Sequence, residues 1–290
     1  MKSLSILFLV SIAINCVAQD VHFSQFKISS FLLNPALVGS QNSDYKATLQ
    51  RKSQWESVSV PFNTFSLSLE GKEILPSHSA GIQFLHDIAG DSRFKTTGIN
   101  LAYAKRVVAT TNNIFSIGAE LGLFQRSVMF DDLVFNDPEN LSNINFMFPD
   151  IAIGIADFIV INNKLAIESG IAFYHINRPR QSLIANDAIA LHQKMNLHTA
   201  FNYIFNTKLN IQPKLLFSNQ DPDKEFLLGC DVNYLLEGER DILLKSGIAD
   251  RFNDALILYF GAEIEGLSCV VSYDVNTSSL TNASNNKVGG

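Results

Sequence analysis

Apolar and polar residues alternate with a period of two along most of the chain from Tyr45 onward. The clearest segment sets one series of residues against another: Phe115, Ile117, Ala119, Leu121 and Leu123 against Ser116, Gly118, Glu120 and Gly122. Such alternation is typical of strands with two different faces, and helical periodicity is not sustained over three turns anywhere. The pattern predicts an all-β chain with strands near 45–51, 62–70, 79–86, 94–106, 112–126, 150–160, 164–175, 194–206, 208–218, 226–236, 240–249, 254–265 and 267–274.

This alternation fits either a soluble lectin-like sandwich or a transmembrane antiparallel β-barrel. Three features favour the barrel. Glycines are frequent among the polar positions, aromatic residues such as Phe124 and Tyr174 gather near strand ends as in the outer aromatic girdles of membrane barrels, and tight turns alternate with long connections at 127–149 and 176–193. In a membrane barrel the apolar face contacts lipid, the polar face lines the lumen, and short turns face the periplasm. Two details are less clear: Pro213 cannot donate to a strand ladder, and Cys230 and Cys269 form either one disulfide or two buried thiols.

The N-terminus has the layout of a secretory signal peptide at 1–18. Lys2 is followed by a short apolar run and by small residues before Gln19. A lipoprotein acylated at Cys16 is the alternative, although Asn15 is a poor residue before an acylated cysteine. The next segment, 19–44, is not strand-like but is rich in Phe and Leu. We therefore predict that it plugs or caps a barrel formed by 45–290, with a simple tether as the alternative.

Composition and motifs narrow the function. A net charge of −6 gives no basic patch for nucleic acid, and the longest apolar runs are too short for a membrane-spanning helix. The sequence has no hydrolase, metalloprotease, phosphate-loop or dinucleotide motif. A metal site at His78, His86 and Asp87, a calcium site in the acidic stretch 131–139 and a hydrolase built on His175 are weak alternatives. We predict no catalysis, no cofactor and no metal.

Several segments in order resemble one family of membrane proteins. They are Gln19-Asp20-Val21-His22-Phe23-Ser24-Gln25-Phe26, Leu33-Asn34-Pro35-Ala36-Leu37-Val38-Gly39, Arg51-Lys52-Ser53-Gln54-Trp55, Phe173-Tyr174-His175-Ile176-Asn177-Arg178-Pro179, Asp250-Arg251-Phe252-Asn253-Asp254-Ala255 and Ser272-Tyr273-Asp274-Val275-Asn276-Thr277-Ser278. This sequence resembles the PorP/SprF family, barrels tied to type IX secretion and gliding motility in Bacteroidota. Family members usually continue after a Gly-Gly such as Gly289-Gly290 into one more strand. We therefore expect a barrel of about fourteen strands whose last strand is missing from this chain.

The resemblance implies a non-catalytic outer-membrane barrel that assists export or surface anchoring of a large adhesin-like protein. Its partners would be outer-membrane lipid, that secreted protein and other type IX components. Candidate partner or plug contacts are His22, Phe23, Gln25, Phe26, Asn34, Pro35 and Trp55. The alternative is a passive porin for small solutes, since a barrel of about fourteen strands encloses a lumen that can hold water.

Overall fold

The computed structural model describes residues 20–54, 61–90, 94–129, 143–181 and 189–278. These residues form thirteen strands: β1 (Tyr45–Gln54), β2 (Phe62–Leu75), β3 (His78–Ala89), β4 (Phe94–Ala109), β5 (Asn113–Val128), β6 (Ile144–Asn162), β7 (Leu165–Tyr174), β8 (Lys194–Ile204), β9 (Leu209–Gln220), β10 (Asp223–Leu236), β11 (Ile242–Arg251), β12 (Ala255–Ile264) and β13 (Leu267–Asn276). A short helix α1 (Ser30–Leu33) and a 3-10 helix (Pro35–Leu37) precede them.

All thirteen strands lie in one sheet, in chain order, and each pairs antiparallel with the next. The all-β prediction and the strand positions are confirmed, with one large difference in bounds. β6 begins at Ile144 instead of 150, and its added residues pair with the end of β5, so that Pro149 lies opposite Leu123. No helix within the described ranges is long and apolar enough to cross a membrane.

The two faces of the strands differ as the alternation predicts. On β5, Leu121 and Leu123 are exposed on the outer face, whereas Glu120 and Phe124, which alternate with them, are buried on the inner face. The same contrast recurs around the sheet, with exposed Leu197 and Phe201 flanking buried His198. Apolar side chains thus cover the outside and polar side chains line the inside, the arrangement of a membrane barrel.

The sheet wraps around the residues that precede it. Ser30 hydrogen-bonds to Glu70 on β2, Asn34 to the carbonyl of Ile155 on β6, and Leu33 belongs to a buried cluster that includes residues of β9 to β12. One short segment can contact both ends of the strand order only if the sheet curls round it, so the sheet is a barrel. Among the described residues, no ladder joins β1 to β13, and the seam of the barrel lies between them.

The two ends of the barrel differ in their connections. The short-turn end carries the connections 76–77, 110–112, 163–164, 205–208, 237–241 and 265–266. The long-connection end carries 55–61, 90–93, 129–143, 175–193 and two tight turns at 221–222 and 252–254. Residues 20–44, which we call the N-terminal segment, join β1 at the short-turn end.

The structure bears on three local predictions, which concern the aromatic residues at strand ends, the cysteines and Pro213. Phe124 and Tyr174 are buried and face the lumen, so their assignment to an outer aromatic belt was wrong. Both share a strand face with buried lumen residues, and that alternation fixes their direction.

Cys230 and Cys269 are free thiols, the first half-buried and the second exposed. Because β10 and β13 are three strands apart, roughly 14 Å separates them, too far for a disulfide.

Pro213 is accommodated by a break in one ladder. On its β10 side it lies opposite Cys230. On the β8 side the pairing passes from Ala200–Lys214 directly to Tyr203–Ile211. The strand therefore gives up ladder bonds at the position where proline has no N–H to donate.

Candidate functional site

The N-terminal segment runs through the lumen from one end to the other. At the long-connection end, the backbone N–H of Asp20 donates to Oε1 of Gln220, the last residue of β9, at 3.2 Å. Toward the short-turn end, the N–H of Gly39 donates to Oε2 of Glu70 on β2 at 3.1 Å. The interior of the barrel is therefore occupied along its length.

Asn34 organises the middle of the segment. Its N–H donates to the carbonyl of Ser30, which ends α1, and its Oδ1 accepts from the N–H of Ala36 at 2.9 Å, which begins the 3-10 helix. Pro35 suits the first helical position because it has no N–H to satisfy there. One residue thus joins two short helices, through its backbone N–H and its side chain, and we call residues Ser30–Leu37 the inner helix pair.

The barrel wall holds Asn34 from the other side. Its Nδ2 donates to the carbonyl of Ile155 at 2.9 Å and lies 3.1 Å from Nε2 of His198. A side chain at Gly154 or Gly170 would collide with it: a Cβ there would lie 2.0 Å from Asn34 Oδ1 or 2.6 Å from its Nδ2. Glycine is therefore required at both wall positions for this close approach.

Further polar groups of the wall satisfy the backbone of α1. Nδ2 of Asn196 donates to the carbonyls of Leu32 and Leu33 at 3.0 and 3.1 Å, and the hydroxyl of Tyr174 donates to the carbonyl of Phe31 at 2.9 Å. A helix leaves its last carbonyls unpaired, and in a buried place each would be costly. These two wall residues remove that cost.

Glu70 provides the charged contact of the inner helix pair. Its carboxylate accepts from Ser30 Oγ at 3.0 Å, in addition to its bond with Gly39, and Lys46 Nζ lies 3.4 Å away. Glu70 is almost completely buried. A buried carboxylate is tolerable only when donors surround it, and here the segment supplies two of them.

Apolar packing completes the hold on the segment. One cluster joins segment residues to the walls of β6 and β9 to β12: Phe26, Leu33, Ala36, Leu37, Ala156, Leu216, Leu227, Ala249, Ile257 and Tyr259. A second joins Phe31 and Val38 to Ala102 and Ala104 on β4. Burying a Leu or Phe side chain contributes about 1.5–3 kcal/mol, so these contacts are the main energetic support of the segment.

Charged groups hold the start of the segment at the long-connection end. His175, just after β7, lies between two carboxylates: Nδ1 is 2.9 Å from Asp150 Oδ2, and Nε2 is 2.7 Å from Asp20 Oδ2. Lys194 Nζ lies 3.6 Å from the same Asp20 oxygen. We call Asp20, Asp150, His175 and Lys194 the mouth cluster. His175 has φ of +56°, a left-handed conformation costly for this residue and maintained by its two partners.

The charges of the mouth cluster shift the pKa values of His175 and Asp20. Burial disfavours the charged form of His175, but Asp20 and Asp150 outweigh it and raise the pKa of His175 to about 9. Burial likewise disfavours ionised Asp20, yet His175 and Lys194 outweigh it and hold the pKa of that carboxyl well below its usual range. His175 is therefore a cation and Asp20 an anion at neutral pH.

His22 belongs to the same part of the N-terminal segment as Asp20 but is held by other contacts than the mouth cluster. Lys52 Nζ donates to its backbone carbonyl at 3.1 Å, and its ring lies 3.8 Å from Glu225. Burial and the positive charges of Lys52, Arg251 and Lys194 keep the pKa of His22 well below its ordinary value. The ring is therefore neutral, and its contact with Glu225 is not an ion pair at neutral pH.

Comparison with known proteins decides the family. A sequence model of the family described as type IX secretion system membrane protein PorP/SprF matches residues 15–288. The chain belongs to the PorP/SprF family. No curated protein matches it.

Solved structures similar to this PorP/SprF protein are distant. The ferric enterobactin receptor PfeA of Pseudomonas aeruginosa is 11% identical over 78% of this chain, with a TM-score of 0.43, and the match covers 45% of the receptor. This chain thus spans less than half of that receptor. The translocator domain of the autotransporter NalP of Neisseria meningitidis is 11% identical, with a TM-score of 0.44, over 71% of this chain and 81% of that domain.

The predicted contact residues are brought together only in part. In this PorP/SprF protein Phe23, Phe26, Asn34 and Pro35 are buried inside the barrel, whereas His22 and Gln25 are half-buried. Whether any of them contacts a partner stays a prediction. Trp55, Gln19, the predicted signal peptide 1–18 and the acidic stretch 131–139 lie outside the described residues.

The residues that hold the segment from the wall were missed by sequence reasoning. They are Glu70, Asp150, Asn196 and His198. Their signal was present, since each is a polar residue on a lumen-facing position, but the sequence does not say which lumen position meets which part of the segment.

The weak metal and hydrolase alternatives gain no support from geometry. His86 contacts Thr97 at 2.8 Å, Asp87 contacts Thr64 at 2.6 Å, and His78 contacts Tyr103. Within the described ranges, no group of three His, Cys, Asp or Glu side chains is arranged to hold a metal ion.

Proposed function

We propose that this protein is a plugged outer-membrane barrel of the type IX secretion and gliding apparatus, which assists export or surface anchoring of a large adhesin-like protein without turnover. The observation that carries the proposal is the N-terminal segment, which fills the lumen and is bonded to the wall at Glu70, Asn196 and His198. A lumen filled in this way suits a scaffold that docks other proteins better than a channel for solutes.

The proposed orientation follows from the connections. Short turns of bacterial barrels face the periplasm and long ones face outward. The long-connection end and Asp20 would then lie at the cell surface. Removal of the proposed signal peptide 1–18 would leave a chain that begins one residue before Asp20. The partner surface would therefore combine the connections 129–143 and 175–193 with the start of the segment.

A role without catalytic turnover agrees with the contacts of His175, the best candidate for a catalytic residue. Both ring nitrogens of His175 are engaged by carboxylates, Asp150 and Asp20. A general base needs a free ring nitrogen facing the proton that it removes. His175 is therefore better suited to fastening the segment than to acid–base chemistry.

The first experiment separates a scaffold from a porin. The full-length protein is reconstituted into a planar bilayer and its conductance is recorded. We expect no steady conductance. Steady ion flow with the segment in place would overturn the plugged-scaffold proposal and leave the passive porin.

The second experiment tests the partner and the face that it uses. A photo-reactive amino acid is placed in cells at Ile189, exposed in the connection between β7 and β8, and, as the matched control, at exposed Glu237 in the turn between β10 and β11. We expect a large secreted surface protein to cross-link from position 189 and not from 237. Cross-links to that protein from 237 alone would overturn the proposed contact face.

A further inference from the structure

A cavity of about 100 Å³ lies in the lumen between the N-terminal segment and strands β3 to β8. It reaches from deep strand positions, such as Asn100 and Glu120, to residues of the long-connection end, such as Phe94 and Lys194. Aromatic rings form part of its walls, at Phe31, Phe94, Phe124, Phe148 and Tyr174, beside several charged side chains. Such a volume suits one side chain or a small organic molecule.

Two acceptors in this cavity have no donor. Glu120 is 5% exposed and Asn100 is 3% exposed. Among the described residues, Oε2 of Glu120 and Oδ1 of Asn100 have no hydrogen-bond partner. A buried acceptor without a donor costs about 1–3 kcal/mol, and a charged one costs more.

The other charged groups of the lining are already partnered. Asp20 and Asp150 share His175, and Asp87 accepts from Thr64. Arg126 bonds to Thr96 and Gln181, and Lys194 Nζ lies 3.6 Å from Oδ2 of Asp20. The cavity is therefore short of a donor, specifically beside Glu120 and Asn100.

The chemistry of the cavity walls limits the class of ligand that can bind there. An alkylammonium group offers three donors and no acceptor, which matches a carboxylate and an amide oxygen, and its methylene chain can pack on aromatic rings. Aromatic faces also attract the cation itself. A metal ion is a poorer match because no suitable group of three ligating side chains exists in the described part of the chain.

We propose that this cavity binds a primary alkylammonium group, with Glu120 as its counter-ion and Asn100 as its second acceptor. The same chemistry belongs to a lysine side chain of a partner protein and to a free small amine. The site depends on the cavity's own contacts and not on the scaffold function proposed above.

The test uses the folded full-length protein in detergent and calorimetric titration with three probes. Nα-acetyl-lysine methylamide represents a lysine side chain, n-butylammonium represents a free amine, and Nα-acetyl-norleucine methylamide is the uncharged analogue of the first. We expect the lysine probe to bind at least about tenfold more tightly than the norleucine probe, a difference of about 1.4 kcal/mol. Binding of butylammonium alone would assign the site to free amines.

Variants identify the counter-ion. Glu120→Gln removes the charge at nearly constant shape and should weaken binding about tenfold or more, while Glu120→Asp keeps the charge and should retain part of the affinity. Glu237→Gln, an exposed position at the short-turn end, is the matched control and should leave affinity unchanged. Equal affinity of the charged and neutral probes for the wild-type protein, or no binding of either amine, would overturn the proposal even if Glu120→Gln failed to fold.

Discussion

The N-terminal segment is fixed at two places by different physical means. The inner helix pair is held mainly by neutral hydrogen bonds centred on Asn34 and by buried apolar side chains, and the Glu70 carboxylate is its charged contact. The mouth cluster is held by charges, with the His175 cation between Asp20 and Asp150. The first hold consists mostly of neutral contacts, so we expect it to depend little on pH and salt, whereas the second rests on charges and depends on proton concentration. We therefore expect that the segment can be released at the mouth while its middle stays in place.

The difference between the hold on the inner helix pair and the hold at the mouth cluster is tested most strongly at Asn34. Asn34→Ala removes the bond to the N–H of Ala36 and the donor to the carbonyl of Ile155, so it should lower the free energy of unfolding by about 2–4 kcal/mol. Urea unfolding of the reconstituted protein measures this. The control is Asn112→Ala in the exposed turn between β4 and β5, which should change stability by less than about 0.5 kcal/mol. Equal effects of the two substitutions would mean that the inner helix pair is not a main support.

The mouth cluster should give a smaller and more local effect. His175→Ala leaves two carboxylates without their shared cation and should cost about 1–3 kcal/mol. We expect a cysteine placed at Val21, in a background without the native cysteines, to react with a maleimide at least about tenfold faster than in the parent. Such a rate would follow from a local opening of about 1.4 kcal/mol.

His192→Ala, in the same connection, is the matched control and should leave the labelling rate unchanged. If His175→Ala labels no faster than this control, the mouth cluster does not fasten the segment.

The pH dependence of the hold at the mouth follows from the directions of the pKa shifts of His175 and Asp20. The pKa of His175 is raised from 6.5 to about 9, so its contribution is complete below pH 6.5 and is lost as pH rises through about 9. The pKa of Asp20 is depressed, so its contribution is present above its ordinary pKa of 3.8 and is lost as pH falls below it. Labelling of the cysteine at Val21 should therefore be slowest between about pH 4 and 6.5.

The labelling rate of the cysteine placed at Val21 is divided by that of a cysteine placed at exposed Glu237, which corrects for the ionisation of the thiol. His175→Gln should remove the increase in rate on the alkaline side. A normalised rate that is the same at pH 6 and pH 10 would contradict the charged hold at the mouth.

The smallest effect is expected for the ion pair between Lys27 and Glu168, whose charged atoms lie 3.3 Å apart. Both side chains are partly exposed, and such pairs contribute about 0–1 kcal/mol. Lys27→Ala should therefore lower stability by less than half of the Asn34→Ala effect, in the same urea titration. A larger loss would show that this partly exposed ion pair is a main support of the segment.

Strand positions were predictable because the pleat of a strand forces alternation, and the barrel interior was predictable as polar on the same ground. The start of β6 was missed because Ile144, Phe146 and Phe148 share a face with each other but precede Pro149, which normally argues against a strand. Phe124 was assigned by its place at a strand end, although alternation with Glu120 and Gly122 gave the correct face. Alternation is therefore the stronger signal of the two.

The site itself was less predictable. That an apolar segment near the N-terminus needs burial could be inferred, but not that Leu216, Leu227 and Ile257 would turn inward to receive it, because a barrel interior is expected to be polar. The contact between Asp20 and His175 joins residues 155 positions apart. No local spacing encodes such a pair, and only the curvature of the finished sheet brings it together.

The route of the N-terminal segment also constrains how the barrel is built. Asp20 lies at one end, Tyr45 starts β1 at the other, and the chain between them bonds to the wall on many sides. Folded chains rarely thread a segment through a completed ring. We therefore expect the segment to be in place before the sheet curls shut, with the first part of the chain as a template for the strands that follow. Enclosure of this template and closure of the wall are then a single event, and an empty closed barrel is not an intermediate on that route.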